Sequence, residues 1–297
     1  MNGILIVNKP EGFTSFDVIA KLRGILKMRR LGHGGTLDPM ATGVLPVFVG
    51  SATRACDIMP DNTKSYRAGF CFGQTTDTLD ITGTVLTESD TGASRQEIEE
   101  LLPQFRGDIM QLPPMYSAVQ VDGKRLYDLA RKGETVERTP RPAQVMRLEI
   151  LSYDQEERQG ELEIVCGKGT YIRTIISDIG EKLGCGGVMT SLVRTSSGGF
   201  SIEESHTLDE IQRAADEGRA EELILPIGRV FSSLKRLSLS QPQTKMYRNG
   251  VKLDLDRVRG VVPDCDTYAV YGSEGEFIGT ARADRENGLL RVGKNLG

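Results

Sequence analysis

One stretch of the chain concentrates residue types that can do chemistry. Gly32-His33-Gly34-Gly35-Thr36-Leu37-Asp38-Pro39 sets a single carboxylate behind three glycines in four residues. Glycine lets backbone approach a ligand closely, and a proline ring holds the residue before it in extended geometry. The loop thus presents Asp38 as a fixed carboxylate. The same residues also suit an Asp-Pro turn initiator. An anion-binding nest is a third option, against which the charge of Asp38 counts. Further groups lie far along the chain. Lys64, Tyr66, Ala68, Phe70 and Phe72 alternate at strand spacing and share one face. Tyr66 is therefore turned inward, either as a core tyrosine or as a ring and hydroxyl available for stacking and proton transfer. Lys64 sits on that face where an apolar residue is expected. Arg173 opens a helical pattern, where the helix dipole disfavours a cation by roughly 0.3–1 kcal/mol. An arginine there wants a carboxylate or phosphate partner, or else is solvated.

Other chemistries are poorly supplied. The chain has two histidines, His33 and His206, and five cysteines at 56, 71, 166, 185 and 265. No C-x-x-C pair or other zinc-ligand spacing occurs, and the cysteines read as reduced thiols. A Ser-His-Asp triad would have to use one of the two histidines. There is no G-x-x-x-x-G-K-[ST] loop and no strand followed by G-x-G-x-x-G. Metal, ATP and nicotinamide chemistry are not expected, which leaves a carboxylate, a tyrosine and arginines.

The elements that must hold these groups are legible as patterns. Ile4 to Val7 reads as a short buried strand and Pro10-Glu11-Gly12 as a turn. Thr14 and Asp17 form a capping-box pair ahead of Val18, Ile19, Leu22, Ile25 and Leu26 at helical spacing. Leu162, Ile164 and Cys166 mark another strand. Ile172, Ile175, Ile176, Ile179 and Leu183 mark another helix. An acidic helical stretch runs from Leu208 to Leu225. After about residue 237, Gly and Asn split short strands, as in a small β-barrel. Strict βαβ alternation is absent, so the class expected is α+β, a mixed, mainly antiparallel sheet flanked by helices. The division expected is 1–236, with an insertion at about 101–147, and 237–297.

The 297 residues carry 37 Lys+Arg against 41 Asp+Glu, a net charge of -4, and are 38% hydrophobic, which suits a globular protein. The N-terminus lacks the pattern of a secretory signal. No apolar run nears the roughly 20 residues of a membrane helix. Charge is unevenly spread. Val18 to Leu37 holds five basic residues and no acid, whereas Asp77 to Asp108 holds eight acids and two arginines. Lys124 to Arg147 and Lys235 to Arg259 each hold seven basic residues, against three and two acids. Local basic faces on an acidic body suit one well-placed RNA ligand.

Gly32 to Pro46, with its G-H-x-G-T-L-D-P-x-A-T-G-V-L-P pattern, resembles the catalytic motif of the TruB family of tRNA pseudouridine synthases. Further motifs follow in family order. Val7-Asn8-Lys9-Pro10 with Thr14-Ser15 resembles the N-terminal motif, and Lys64-Ser65-Tyr66 the K-x-Y strand. Pro113 to Tyr127 resembles an insertion of this branch, Gly167 to Arg173 the arginine motif, and Leu192 to Phe200 the last catalytic motif. Phe277-Ile278-Gly279 and Leu290-Arg291-Val292 are similar to a PUA-type RNA-binding barrel.

The resemblance implies isomerisation of uridine 55 in the T-loop of tRNA by a cytoplasmic monomer, with no cofactor or metal. It implies Asp38, Tyr66 and Arg173 as catalytic groups, Arg173 being the candidate cation for the Asp38 carboxylate. His33, Lys64, Leu192 and Lys9 would bind substrate. His33 would hold the target loop open, and Leu192 would pack under the uracil. Lys9 also fits a purely structural role in its turn, and His206 has no role. The chain departs from the family at Gly34, where threonine is usual, and at Val193, Ser196 and Gly199, where two arginines and a proline are usual. Contacts at those positions are not carried over. Competing readings are a synthase for another RNA and an RNA-binding or RNA-folding protein without turnover. A glycosidase would need a second acid paired with Asp38, which no motif supplies.

Overall fold

The alternation at 64–72 becomes a strand, Lys64–Phe72, at the centre of one of two compact units. The computed structural model describes all residues, Met1–Gly297. The unit that contains this strand comprises Pro39–Gly43 and Asn62–Ser197. Gln159–Cys166 and Gly187–Ser197 flank the strand, both antiparallel to it. Arg141–Asp154 and then Gly107–Gln111 extend the sheet to an edge. On the other side, Thr42 and Gly43 pair in parallel with Val193 and Arg194. Tyr66 therefore faces Ile164 on one neighbour and Arg194 on the other. Helix Ile172–Lys182 buries Ile172, Ile175, Ile176 and Ile179, the stripe expected from its spacing. A hairpin, Gln74–Thr76 with Val85–Glu88, leads to helix Arg95–Leu101. Residues 120–130 fold as the short pair Gln120–Val121 and Lys124–Arg125 and one helical turn, Leu126–Ala130.

The other unit comprises Met1–Asp38, Val44–Asp61 and Gly198–Gly297. Leu31–His33 pairs antiparallel with Val47 to Val49 at the end of strand Thr42–Val49, which also neighbours Gly3–Lys9. Helix Ser15–Ile25 starts at the expected capping box of Thr14 and Asp17. It buries Val18, Ile19, Leu22 and Ile25 against Leu5, Val7, Leu45 and Ile211. The helix closes with Met28 N–H donating to the Arg23 carbonyl at 3.2 Å. Lys27 holds the left-handed position of that Schellman ending, with φ 51°. Glycine is usual there, and a side chain costs roughly 1–2 kcal/mol.

A five-stranded sheet ends the chain in the order Lys235–Ser238, Thr267–Tyr271, Phe277–Asp284, Leu289–Asn295, Leu253–Asp254. Leu237, Tyr268, Val270, Ile278 and Leu290 fill its core, and Tyr247 from helix Gln241–Arg248 donates its hydroxyl to the Thr280 carbonyl at 2.7 Å. Phe277 stacks on Phe231 at 5.0 Å, and both join a core with Ile4, Phe48 and Ala269. The mainly antiparallel α+β class thus holds. The acidic helix is shorter than its pattern suggests. It covers Leu208–Asp216 and is stopped by Gly218 at φ 74°, and only a 3-10 turn, Ala220–Leu223, follows. All five cysteines are free. No helix is long and apolar enough to cross a membrane.

Gly43 is the tightest point of the parallel pairing. Its φ is 97°, and a Cβ there would run into the backbone of Arg194. Gly43→Ala should cost about 2–4 kcal/mol from combined backbone strain and overpacking. Urea unfolding should show this as a lower midpoint at unchanged slope.

Candidate active site

Asp38 follows a loop fixed at both ends. Strand Leu31–His33 delivers His33, half-buried opposite Val47. Gly34 N–H then donates to the Pro46 carbonyl at 2.8 Å. Leu37, next to Asp38, is buried, and its N–H donates to Ser15 Oγ at 2.9 Å. Ser15 is buried in the first turn of helix Ser15–Ile25. The carboxylate is thereby tethered to a packed helix, not left on a flexible glycine loop. Asp38 itself is half-buried.

Lys9 is wholly buried, and its ammonium donates to the carbonyls of Pro10 at 2.8 Å and Phe13 at 2.5 Å. These bonds fix the turn that leads into the Thr14 cap. Its geometry gives Lys9 a part in shaping the loop's support.

The other unit assembles Arg173. It is buried at the second position of helix Ile172–Lys182. Its guanidinium donates to the Thr78 carbonyl at 2.8 Å and the Tyr116 carbonyl at 2.9 Å, and lies 3.5 Å from Asp80. Asp80 Oδ1 accepts from the hydroxyls of Thr78 at 2.8 Å and Thr82 at 2.5 Å, and from Thr82 N–H at 3.0 Å. Leu79 lies between these partners with φ 62°, a strained conformation for a bulky residue. This turn aims both the Thr78 carbonyl and the Asp80 carboxylate at one guanidinium. Gln111 supports the same helix end, accepting from Tyr171 N–H at 3.0 Å and donating to the Tyr171 carbonyl at 3.1 Å. The helix dipole thus opposes Arg173, and an acid and two carbonyls offset it.

Tyr66 is buried at the middle of its strand. Across from it, Arg194 is fully buried. Burial pushes the Arg194 guanidinium below the usual arginine range, opposed by its hydrogen bond with the Tyr66 hydroxyl. Leu192, two residues earlier on that strand, is buried opposite Ala68. Lys64 pairs in register with Cys166 and donates to the Asn62 carbonyl at 3.0 Å. Burial raises the Cys166 thiol to about 11, only partly offset by Thr170, Lys64 and Arg194. No three His, Cys, Asp or Glu side chains gather as a metal-holding group.

Two residues were absent from the site read off the sequence. Arg194 was passed over because it lies in a strand, where nothing in alternation separates a buried cation from an outward one. Asp80 did leave a trace, since Thr78 and Thr82 flank it two residues to either side with hydroxyls able to satisfy a carboxylate, and Thr76 holds its carbonyl. The departures also have local reasons. A Cβ at Gly34 would sit 3.1 Å from Phe48 and 3.2 Å from Met59, so those side chains fill the space of a threonine. Gly199 has φ 80°, which proline cannot adopt. Ser196 Oγ lies 2.9 Å from Ser65 Oγ in a cross-strand pair. Nothing in the structure explains Val193.

The Arg173–Asp80 pair should behave as one unit. Arg173→Met or Asp80→Ala alone strands a buried charge, at about 3–5 kcal/mol. Together the two should cost clearly less than the sum, as a double-mutant cycle in urea would measure. Additive losses would show that the two side chains act independently.

The chain matches the model for "TruB family pseudouridylate synthase (N terminal domain)" over residues 23–172 and that for "tRNA pseudouridylate synthase B C-terminal domain" over 173–232. A tRNA pseudouridine synthase B of Gloeothece citriformis is 42% identical over 300 residues, covering 98% of this chain and 96% of that one. Another of Dehalococcoides mccartyi is 41% identical over 279 residues, covering 94% and 91%. Among solved structures, a chain from a Cbf5-Nop10-Gar1 complex superposes with a TM-score of 0.77 at 25% identity, covering 99% of this chain and 85% of that one. With Asp38, Tyr66, Arg173 and Leu192 all in the motif order seen in its sequence, the chain belongs to the TruB family of pseudouridine synthases.

Proposed function

We propose that this enzyme converts uridine 55 in the T-arm of tRNA to pseudouridine. The observation that carries the reading is similarity to tRNA pseudouridine synthases along nearly the whole chain, about 40% identical, with Asp38, Tyr66 and Arg173 present in their motifs. The reaction breaks the bond from ribose C1′ to uracil N1, turns the base, and joins C1′ to C5. A proton leaves C5 and N1 gains one, so atoms and electrons balance without a co-reactant. That balance is why no cofactor is needed.

Asp38 supplies the ionised carboxylate, whether it attacks the base, attacks the sugar or removes a ribose proton. In the family reading Arg173 is the cation for that carboxylate, and a cation favours the charged form of an acid. Its own bonds to Thr78, Asp80 and Tyr116 set where its guanidinium stands. Tyr66 stacks on the extruded uracil and assists loss of the C5 proton, with Arg194 steadying its hydroxyl. Leu192 packs beneath the base. Extruding a base costs a few kcal/mol, recovered by such stacking and by hydrogen bonds. His33 holds the target loop open, Lys64 meets phosphate, and Lys9 acts through the turn it braces. Residues 1–236 form the catalytic part and 237–297 an RNA-binding module. The enzyme works as a monomer, in the cytoplasm, where free thiols persist.

Tritium release from C5-labelled uridine in a T-arm minihelix tests the reading. Asp38→Asn should abolish release while tRNA binding persists; turnover within tenfold of wild type would refute the assignment. A minihelix that lacks the target uridine should release nothing.

Ser15→Ala should separate positioning from binding. It leaves the Leu37 N–H unsatisfied, at about 1–3 kcal/mol, and frees the segment before Asp38. The single-turnover rate should fall while the dissociation constant for tRNA stays put. An unchanged rate would show that the tether does not position the carboxylate.

A further inference from the structure

Helix Ser15–Ile25 has an outer face that its packing does not use. Phe16, Ala20, Arg23 and Lys27 follow at spacings of four, three and four, so they line one side. All four are exposed, Phe16 at 64%. The Arg23 guanidinium lies over the Phe16 ring, 5.7 Å from its centre. Lys21 and Arg29 are exposed nearby in sequence.

Two observations set this face apart from an ordinary solvated one. Several exposed arginines elsewhere in this acidic chain are paired with an acid, as Arg95 is with Glu99, Arg147 with Glu149, Arg229 with Glu204 and Arg248 with Glu276. Lys21, Arg23, Lys27 and Arg29 enter no ion pair, and the helix's own acid, Asp17, is bonded to Thr14. Next, Lys27 occupies the left-handed turn that closes the helix, where glycine would relieve strain. A strained position filled by a long cation points to use of that side chain.

We propose that this face, Phe16, Lys21, Arg23, Lys27 and Arg29, is a contact surface for the phosphate backbone of the tRNA substrate. The cations meet phosphates, and the arginine-backed ring of Phe16 meets a base or sugar. The surface is physically joined to the catalytic loop, because Ser15, in the same helix, holds Leu37 beside Asp38. RNA held on this face is therefore registered to the carboxylate. The inference rests on tRNA being the substrate.

The test measures tRNA affinity of the full chain across a range of salt. Lys27→Gly, Arg23→Gln and Phe16→Ala are the variants, with Arg95→Gln as the control on a paired arginine. Each removed phosphate contact should lower the slope of log affinity on log salt by about 0.7–0.9. Lys27→Gly and Arg23→Gln should therefore weaken binding severalfold, with the single-turnover rate at saturating tRNA unchanged. Phe16→Ala should weaken binding with no change in slope. Lys27→Gly should melt no lower than wild type, which separates a binding role from a structural one. Wild-type affinity and slope in Lys27→Gly and Arg23→Gln would overturn the surface. Failure of the wild-type chain itself to bind tRNA would overturn the functional reading, and this inference with it.

Discussion

A buried guanidinium at the positive end of a helix is the constraint on which the second unit is built. Arg173 is opposed there by the dipole and by desolvation, so its surroundings must offset both. They do so with groups from two separate segments: the Thr78 carbonyl and Asp80 carboxylate of one turn, and the Tyr116 carbonyl some forty residues on. The left-handed Leu79 is part of that cost, and the threonine hydroxyls around Asp80 are part of its support. Each feature looks odd alone. Together they are what one fixed cation needs.

The first unit solves the opposite problem. Its carboxylate sits on a loop whose glycines give close approach but no rigidity. Rigidity is imported through the Ser15–Leu37 bond and the Gly34–Pro46 bond. Lys9 steadies the turn before the helix that carries Ser15. Most of the motif around Asp38 therefore serves to place one side chain.

Much of this was legible in the sequence because it obeys short-range rules. The strand at 64–72, the capping box at Thr14 and the helix behind Arg173 follow from alternation, spacing and cap chemistry. The resemblance supplied the reaction, which no periodicity contains. The rest depends on contacts distant in sequence. Arg194 is invisible as a buried cation until strand pairing sets it against Tyr66, 128 positions away. Asp80 is one acid in an acidic stretch until the fold brings Arg173 to it. The acidic helix ends before its amphipathic spacing does, because the backbone turns left-handed at Gly218.

The thiol of Cys166 carries a consequence of its own. Raised to about 11 and buried, it is almost wholly protonated at neutral pH, and the thiolate is the form that attacks and is oxidised. It sits in register with Lys64, two residues from Tyr66. Oxidised, a sulfur so close to the buried Tyr66 would put a new anion or a bulky adduct into a packed sheet. Held as a neutral thiol it behaves as a small apolar side chain, and the strand keeps its packing.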